Sequence, residues 1–321
     1  TKKTAQLLVA GPAVVERAFG KQMTKEELGG SHIHRLNGVT DNVADSEEEA
    51  FNQIKQFLSY MPQSIYELTE TKYCEDPIDR KEEELLSIIP KDRQKSYEMR
   101  DIIKMISDNG DFFEMTKSFG RGIITGFSRI SGFCIGVLAN DSNFYAGSMS
   151  ADGARKTTRF VKLCGTFHIP IVSLVDEPGF LIGPEAEVQG TILHGTEAVL
   201  AVAESSVPWS SVMIRKSFGV AAAAHYGPEG YVLAWPSAES GPLPLEGGVA
   251  VAFKKEIAAA ADPEAKRKEI EEIMSKQQNP FPRAESFSVH EIIDPRETRT
   301  YLAKWVERIQ PQLKAKLLGL K

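Results

Sequence analysis

The 321-residue sequence is poor in cysteine, in net positive charge and in long apolar runs. Its three cysteines, Cys74, Cys134 and Cys164, form no CxxC pair, which excludes a zinc ribbon and offers no disulfide framework. A formal net charge of −6 argues against nucleic-acid binding, because phosphate contacts need a basic surface. No apolar run approaches the roughly 18–20 residues of a membrane-spanning helix. These absences predict a soluble protein of a reducing compartment, with neither a nucleic acid nor a membrane as partner.

Several catalytic motifs are absent as well. The sequence has no GxSxG, which excludes a nucleophile-elbow hydrolase, and neither GxGxxG nor GxxxxGK[ST], which argues against dinucleotide or ATP binding by such loops. His32 and His34 lack partners at metal-ligand spacing, so we predict no metal site.

Short, continuously apolar segments alternate with helical patterns through the middle of the chain, which is typical of an α/β protein whose sheet is covered on both faces. The predicted strands are 7–10, 122–130, 133–139, 169–175, 210–214 and 231–235. The predicted helices are 13–19, 24–29, 46–58, 82–89, 97–107, 152–167, 188–204, 219–225, 264–276 and 297–318, and Pro311 is predicted to interrupt the last of them. Residues 31–41 are predicted as a loop. Prolines and charges interrupt the pattern between 61 and 95, which indicates a linker.

Glycine-rich turns follow two of these strands. Gly179 and Gly183 lie between strand 169–175 and the next helix, and Gly219 follows the strand that ends in Val-Met-Ile. A strand, a glycine turn and a helix N-terminus can present unpaired backbone N–H groups to a developing negative charge. The pattern therefore favours catalysis by oxyanion stabilisation over catalysis by a nucleophilic side chain, although glycine at such turns can also serve packing alone.

The charged residues beside these turns have two interpretations each. Arg215 and Lys216 form either a cationic rim for an anionic substrate or an ordinary ion-paired strand end. Asp176 is predicted as a turn residue before Pro-Gly, in preference to an acid–base pair with Glu177. His194, like His34, lies near glycines and could face a site.

Five strings in order resemble the carboxyltransferase (β) subunits of biotin-dependent acyl-CoA carboxylases, the propionyl-CoA and acetyl-CoA carboxylase family. The strings are LVAGPAVVERAFGKQMTKEELGGSHIH, VDEPGFLIGPEAEVQGTILHG, RKSFG, AWPSAE and EIIDPRETR. The resemblance implies a crotonase-like (ClpP/crotonase) ββα-superhelix fold with one partial and one complete copy. Residues 1–85 would be the C-terminal part of the N-terminal carboxyltransferase half, 86–95 a linker and 96–321 the C-terminal half. The family's further N-terminal stretch is missing from this sequence.

The resemblance also implies a mechanism. Carboxybiotin releases CO2, the freed biotin N1 removes the α-proton of an acyl-CoA, and the resulting enolate attacks the CO2. Backbone amides stabilise two anions, the ureido enolate of biotin and the thioester enolate of the acyl-CoA. The family's amide pair in the second half falls on Val220 and Ala221, beside Gly219. The family's pair for the thioester enolate lies in the first half, in a part that is absent from this sequence. The residues implied in substrate or biotin binding are Gly179, Phe180, Gly183, Glu187, Gly190, Arg215, Lys216 and Ala223, and in the first segment Gly29, Gly30 and His34.

Two departures from the family concern this site. Val220 stands where the family usually has glycine. The valine keeps the backbone N–H, but its larger side chain narrows the biotin channel. Ala223 falls on the position by which the family distinguishes acyl groups, and it offers no polar contact there. Residues 240–245 also differ from the family's usual run.

The resemblance implies biotin, carried on a separate protein or domain, as cofactor, an acyl-CoA as substrate and no metal in this subunit. The implied partners are a biotin carboxylase or biotin carrier subunit and further copies of the chain, in a dimer-built hexamer. The implied location is the cytoplasm, or the mitochondrial matrix in a eukaryote. Three alternatives remain: a biotin-dependent decarboxylase subunit, a crotonase-type hydratase or isomerase with Glu185 or Glu187 as base, and a non-enzymatic scaffold.

Overall fold

A central mixed sheet organises the structure, a computed structural model that describes residues 1–319. The strands are β1 (Phe112–Met115), β2 (Ile123–Ile130), β3 (Phe133–Asn140), β4 (Ile171–Glu177), β5 (Trp209–Phe218), β6 (Tyr231–Ala234), β7 (Glu239–Gly241) and β8 (Glu291–Ile292). Their order is β1-β2-β3-β4-β5-β6-β8, with β7 beside β5. Strands β1 to β3 are antiparallel, and every pairing from β3 to β8 is parallel.

Helices cover the sheet and fill the two ends of the chain. They are α1 (Pro12–Phe19), α2 (Lys25–Gly29), α3 (Ser31–His34), α4 (Glu47–Ser59), α5 (Met99–Ile106), α6 (Ala151–Thr166), α7 (Pro184–Val188), α8 (Thr191–Ala203), α9 (Leu245–Ala252), α10 (Lys254–Ala259), α11 (Pro263–Gln278), α12 (Phe281–Glu285), α13 (Thr298–Arg308) and α14 (Gln310–Leu317). Short 3₁₀ helices span Glu83–Leu86, Asp108–Gly110, Tyr145–Gly147, Ala221–His225 and Pro295–Glu297. Within residues 1–319, no helix has the length and apolar character needed to cross a bilayer.

The sheet separates two apolar cores. One core contains the side chains of Val172 and Leu174 of β4, packed against α5 and α13. The other includes Ile171 of β4 and packs against α6 and α8. Because side chains alternate between the faces of a strand, neighbouring residues of β4 belong to different cores. This alternation decides where the polar residues at the end of β4 point.

Local signals in the sequence placed several elements correctly. The β2–β3 hairpin turns at Ser131 and Gly132, whose φ angles of 53° and 80° are left-handed. Thr24 and Glu27 form the expected capping box of α2. Ser46 caps α4, and the Asp262 carboxylate accepts the N–H groups at the start of α11.

Other predicted elements were wrong. Residues 7–10 form no strand, and their side chains Leu7 and Val9 are exposed; an isolated bridge joins the preceding Gln6 to Gly30. The predicted loop 31–41 begins with α3. The predicted helix 188–204 begins only at Thr191, because a separate helix, α7, ends at Val188 and Gly190 precedes α8. By contrast, the interruption predicted near Pro311 in helix 297–318 is confirmed, since α13 ends and α14 begins around Ile309. Strand β1 was missed. The domain division at 86–95 stays a prediction.

Candidate functional site

The carboxyl ends of β4 and β5 form the candidate site. These strands are parallel neighbours, so the segments that follow them leave the sheet at the same edge. After β4 the chain runs through residues 178–183 into α7, a segment called the β4 loop below. After β5 it passes Gly219 and enters the 3₁₀ helix Ala221–His225, called the β5 turn helix. The two glycine-rich turns predicted from the sequence are therefore adjacent in space.

The β5 turn helix begins with free backbone donors. Gly219 has a left-handed φ of 65° and donates its N–H to the Gly241 carbonyl at 3.1 Å. The first hydrogen bond of the turn runs from the Ala223 N–H to the Val220 carbonyl at 3.0 Å. Neither the Val220 nor the Ala221 N–H donates to any atom that the structure describes. Val220 is 70% exposed and lies at the protein surface, whereas Ala221 is fully buried directly behind it.

Three glycines shape the β4 loop and its helix. Gly179, Gly183 and Gly190 have φ angles of 133°, 118° and 72°, which side chains disfavour. Phe180 between them turns inward, because its ring packs against Gly195 of α8. The loop backbone is tied to Met149 by hydrogen bonds in both directions, from the Met149 N–H and from the Leu181 N–H. The loop is therefore held firmly, although its glycines have unusual backbone angles.

A cavity of about 600 Å³ lies beside the β4 loop. Its lining includes Phe144 and Tyr145, which follow β3, and Leu181, Ile182 and Glu185 around the β4 loop. Val220 and Ala221 are not part of this lining. Glu185 and Glu187 of α7, the bases of the hydratase alternative, are exposed.

Asp176 and Arg215 form a buried ion pair under the site. The Arg215 Nη2 lies 2.9 Å from the Asp176 Oδ2, and its Nε contacts both carboxylate oxygens at 3.2 Å. Tyr97 donates its hydroxyl to Oδ2 at 3.0 Å, and the Lys216 N–H donates to Oδ1 at 3.0 Å. The turn role predicted for Asp176 was wrong, because it is a fully buried residue of β4. For Arg215, this geometry matches the ion-paired interpretation given above.

An irregular register brings Arg215 to Asp176. Val175 pairs with Met213 and Glu177 pairs with Ser217, so β5 has three residues where β4 has one. The extra length bends β5 and redirects its side chains, as β-bulges commonly do beside active sites. The predicted strand ended at 214 and missed this feature.

Glu177 and His225 form a second buried polar group. The Glu177 Oε1 accepts the Gly179 N–H at 2.9 Å, and its Oε2 accepts the Asn140 side-chain amide at 3.0 Å. The His225 Nε2 lies 3.5 Å from the Glu177 Oε2. Burial raises the pKa of Glu177 above its ordinary value, against the lowering effect of its hydrogen bonds. Sequence reasoning missed His225 entirely, although the single histidine after an alanine run was a visible signal.

The remaining predicted residues are distributed around this edge or far from it. Ala223 is exposed on the β5 turn helix, and Lys216 is partly exposed on β5. His194 contacts Glu197 within α8, with 3.0 Å between Nδ1 and Oε2. Among the residues described, no group of three His, Cys, Asp or Glu side chains could hold a metal ion.

Gly29, Gly30 and His34, the site residues predicted near the start of the chain, contact Gln6 and Leu7. The His34 Nε2 lies 2.7 Å from the Leu7 carbonyl oxygen. The Leu7 N–H donates to the Gly29 carbonyl at 3.0 Å, and Gly30 bridges to Gln6. An added Cβ at Gly29 or Gly30 would collide with neighbouring atoms. Close packing explains these two glycines without a ligand.

Residues 1–313 match the carboxyl transferase domain family, and the chain belongs to it. A propionyl-CoA carboxylase carboxyltransferase subunit of Haloferax mediterranei is 35% identical over 308 residues, which are 94% of this chain and 59% of that protein. A methylmalonyl-CoA carboxyltransferase 12S subunit of Propionibacterium freudenreichii is 36% identical over 311 residues, which are 95% of this chain and 59% of that protein. The chain thus spans about three fifths of the length of these relatives.

Solved structures support the same assignment. The transcarboxylase 12S structure with methylmalonyl-coenzyme A and methylmalonic acid bound has a TM-score of 0.90 at 33% identity, covering 97% of this chain and 60% of that one. A single-chain, multi-domain long-chain acyl-CoA carboxylase has a TM-score of 0.80 at 27% identity, and the match covers 95% of this chain and 30% of that one. The fold is α/β and crotonase-like, as the resemblance implied.

Proposed function

We propose that this chain is part of a carboxyltransferase subunit that moves a carboxyl group from carboxybiotin to the α-carbon of an acyl-CoA. The observation that carries the proposal is the pair of free N–H groups on Val220 and Ala221 at the carboxyl edge of the sheet. Two adjacent donors, fixed before the reaction, can stabilise an oxygen on which negative charge develops. Membership of the carboxyl transferase domain family supports the choice of reaction.

The residues around these donors suit a planar ring with a carbonyl oxygen. Gly219 carries no side chain, and the nearest atom to a Cβ built there is the Pro242 carbonyl oxygen at 3.5 Å. Ala223 is small and exposed. Biotin, when bound, supplies the transferable carboxyl group and a ring nitrogen that acts as base. The chain itself contributes the N–H groups of Val220 and Ala221, which hold the ring oxygen.

The buried Asp176–Arg215 ion pair supports the geometry of these donors indirectly, through the backbone of β5. Asp176 accepts the Lys216 N–H and so fixes the bulged part of β5 that leads into Gly219. Arg215 keeps that carboxylate neutralised inside the fold. We assign Arg215 a positioning role, and Gly179, Gly183 and Gly190 the shaping of the opposite wall. Phe180 contributes its backbone and fixes that wall by packing on α8.

Cofactor, partner and location follow from the proposed reaction. Biotin would arrive on a separate carrier protein or domain, and a biotin carboxylase would load it. Further copies of the chain would form a homo-oligomer, because the similar transcarboxylase 12S structure is a hexamer assembly. The cytoplasm, or the mitochondrial matrix in a eukaryote, would provide these partners. A decarboxylase subunit would use the same donors in the reverse direction, and one relative, from Propionigenium modestum, is named as such.

The deciding experiment removes one donor. Val220 has a φ of −70°, which matches the angle that proline requires, so Val220→Pro deletes the N–H at a compatible φ. The full-length protein is mixed with free biotin and a panel of carboxylated acyl-CoAs, and decarboxylation is measured. We expect Val220→Pro to lower kcat by about 10²-fold or more.

The matched control is Val220→Ala, which retains the N–H and should keep most of the activity. Equal rates for the proline and alanine variants would mean that this amide is not used. Biotin-independent hydration or isomerisation of an enoyl-CoA by the wild-type protein would support the hydratase alternative instead.

A further inference from the structure

His225 is held at the end of the β5 turn helix by residues of two strands, β4 and β5. It is fully buried. Its carbonyl accepts the Trp209 indole N–H at 2.8 Å and the Ser211 hydroxyl at 2.7 Å. Its Nδ1 lies 2.9 Å from the Ser173 Oγ. Its Nε2 has no hydrogen-bond partner among the residues described and faces the Glu177 Oε2 at 3.5 Å.

Glu177 is anchored on the opposite segment. It is also fully buried, at the end of β4. One of its oxygens accepts the Gly179 N–H at 2.9 Å and the Met149 N–H at 3.3 Å, which are the backbone groups that begin and support the β4 loop. Its other oxygen faces His225 and the Asn140 amide. Each member of the pair therefore fixes the backbone of its own segment.

Packing alone does not account for this arrangement. A buried carboxylate and a buried imidazole both lose hydration, and that loss is offset only by contacts between polar groups. Glu177 could have been bonded within the β4 loop alone, and His225 to Ser173 alone. The contact between them joins the β4 loop to the helix whose first N–H groups are free. The two side chains are therefore placed where they can couple one segment to the other.

We propose that Glu177 and His225 form a positioning pair that sets the orientation of the Val220 and Ala221 N–H groups relative to the β4 loop. Its effect on catalysis rests on the proposed carboxyltransferase function, whereas the mechanical coupling does not. Neither residue touches the reacting atoms. They act through the backbone, so that the free donors keep the fixed geometry that oxyanion stabilisation requires.

The test measures the effect of each side chain on the other segment. Hydrogen–deuterium exchange is followed in the full-length protein without substrate, in wild type, His225→Leu and Glu177→Gln. His225→Leu should raise exchange at Gly179 to Ile182 by about tenfold, and Glu177→Gln should raise it by a similar factor at Ala223 to Tyr226. His290→Leu, which removes an imidazole outside both segments, should change neither.

Kinetics supply the second readout. If the pair orients the donors, each single variant should lower kcat in the biotin-dependent assay by up to about 10²-fold with KM for the acyl-CoA nearly unchanged. The double variant should recover part of the loss, because it leaves no unpaired buried charge. Glu177→Gln has nearly the native shape and decides the question alone if His225→Leu does not fold.

The outcomes separate the two proposals. Exchange confined to the mutated residue's own segment, in folded variants, would overturn the positioning pair even if the wild-type enzyme is active. Coupled exchange in a wild-type protein with no biotin-dependent activity would support the pair and overturn the proposed function.

Discussion

Asp176 and Glu177 are consecutive acidic residues of one strand, yet they support the site in different ways. Both are fully buried at the end of β4. Asp176 faces Tyr97 and Arg215 on the side of α5, whereas Glu177 faces His225 on the side of α8. The period-two alternation of a strand is the reason that neighbours in sequence serve opposite cores.

The two networks differ in how completely the charge is neutralised. Asp176 receives donors from Arg215, Tyr97 and the Lys216 N–H, and the guanidinium stays charged at every physiological pH. Glu177 receives two backbone N–H groups and the Asn140 amide, and its ionisable partner lies at 3.5 Å. The first network is a permanent structural ion pair. The second can change its charge state, and it is the one in direct contact with the β5 turn helix.

The largest expected effect comes from breaking the Asp176 network. Arg215→Met leaves a buried carboxylate without its counter-charge, so we expect the free energy of unfolding to fall by about 3–5 kcal/mol. Urea denaturation measures the loss. Arg155→Met is the control, because the Arg155 pair with Asp152 is about half exposed and should cost at most about 1 kcal/mol. A loss for Arg215→Met no larger than that of the control would remove the distinction between the two networks.

Removing the Tyr97 hydroxyl should have a smaller effect. Burial raises the pKa of Tyr97 well above its ordinary value, so the hydroxyl remains a donor to Asp176. Tyr97→Phe deletes one charge-assisted hydrogen bond, and we expect a loss of about 1.5–3 kcal/mol in the same denaturation experiment. The exposed Tyr66→Phe should be neutral. Stability equal to wild type would show that Arg215 alone satisfies the carboxylate.

The smallest effect sharpens the comparison through pH. Because the pKa of Glu177 is raised in the folded state, the folded protein retains a proton that the unfolded chain releases above about pH 4.5. The contribution of Glu177 to stability is therefore complete below that pH and falls as pH rises towards the folded-state pKa. The slope is at most about 1.4 kcal/mol per pH unit, the value for one proton. The free energy of unfolding of wild type minus that of Glu177→Gln should therefore decrease as pH rises above about 4.5. A difference that increases with pH would contradict this prediction.

The sequence predicted those parts of the fold that depend on local signals. The capping residues of α2, α4 and α11, the hairpin at Ser131 and the apolar runs of β2 to β6 all come from short-range propensities. The two glycine turns of the site were found in the same way, and family resemblance supplied the proposed reaction. Boundaries failed where the backbone departs from a regular period, as at Gly190 within the predicted helix 188–204.

The candidate site was only partly predictable, because its polar contacts join residues far apart in sequence. Arg215 was predicted as a rim or as part of an ion pair, and the sequence left both open. The choice depends on a register irregularity between β4 and β5 that no local pattern encodes. His225 lies 48 residues beyond Glu177, and nothing in its own neighbourhood indicates that carboxylate.

By itself, the sequence determined the alternation of strands and helices, the glycine turns and the covering of the sheet, since propensity and periodicity act over a few residues. Tertiary structure alone decided which core each acidic residue of β4 faces and which partners neutralise it. Those outcomes depend on strand pairing and on burial, which are properties of the assembled sheet and cannot be inferred from any single segment.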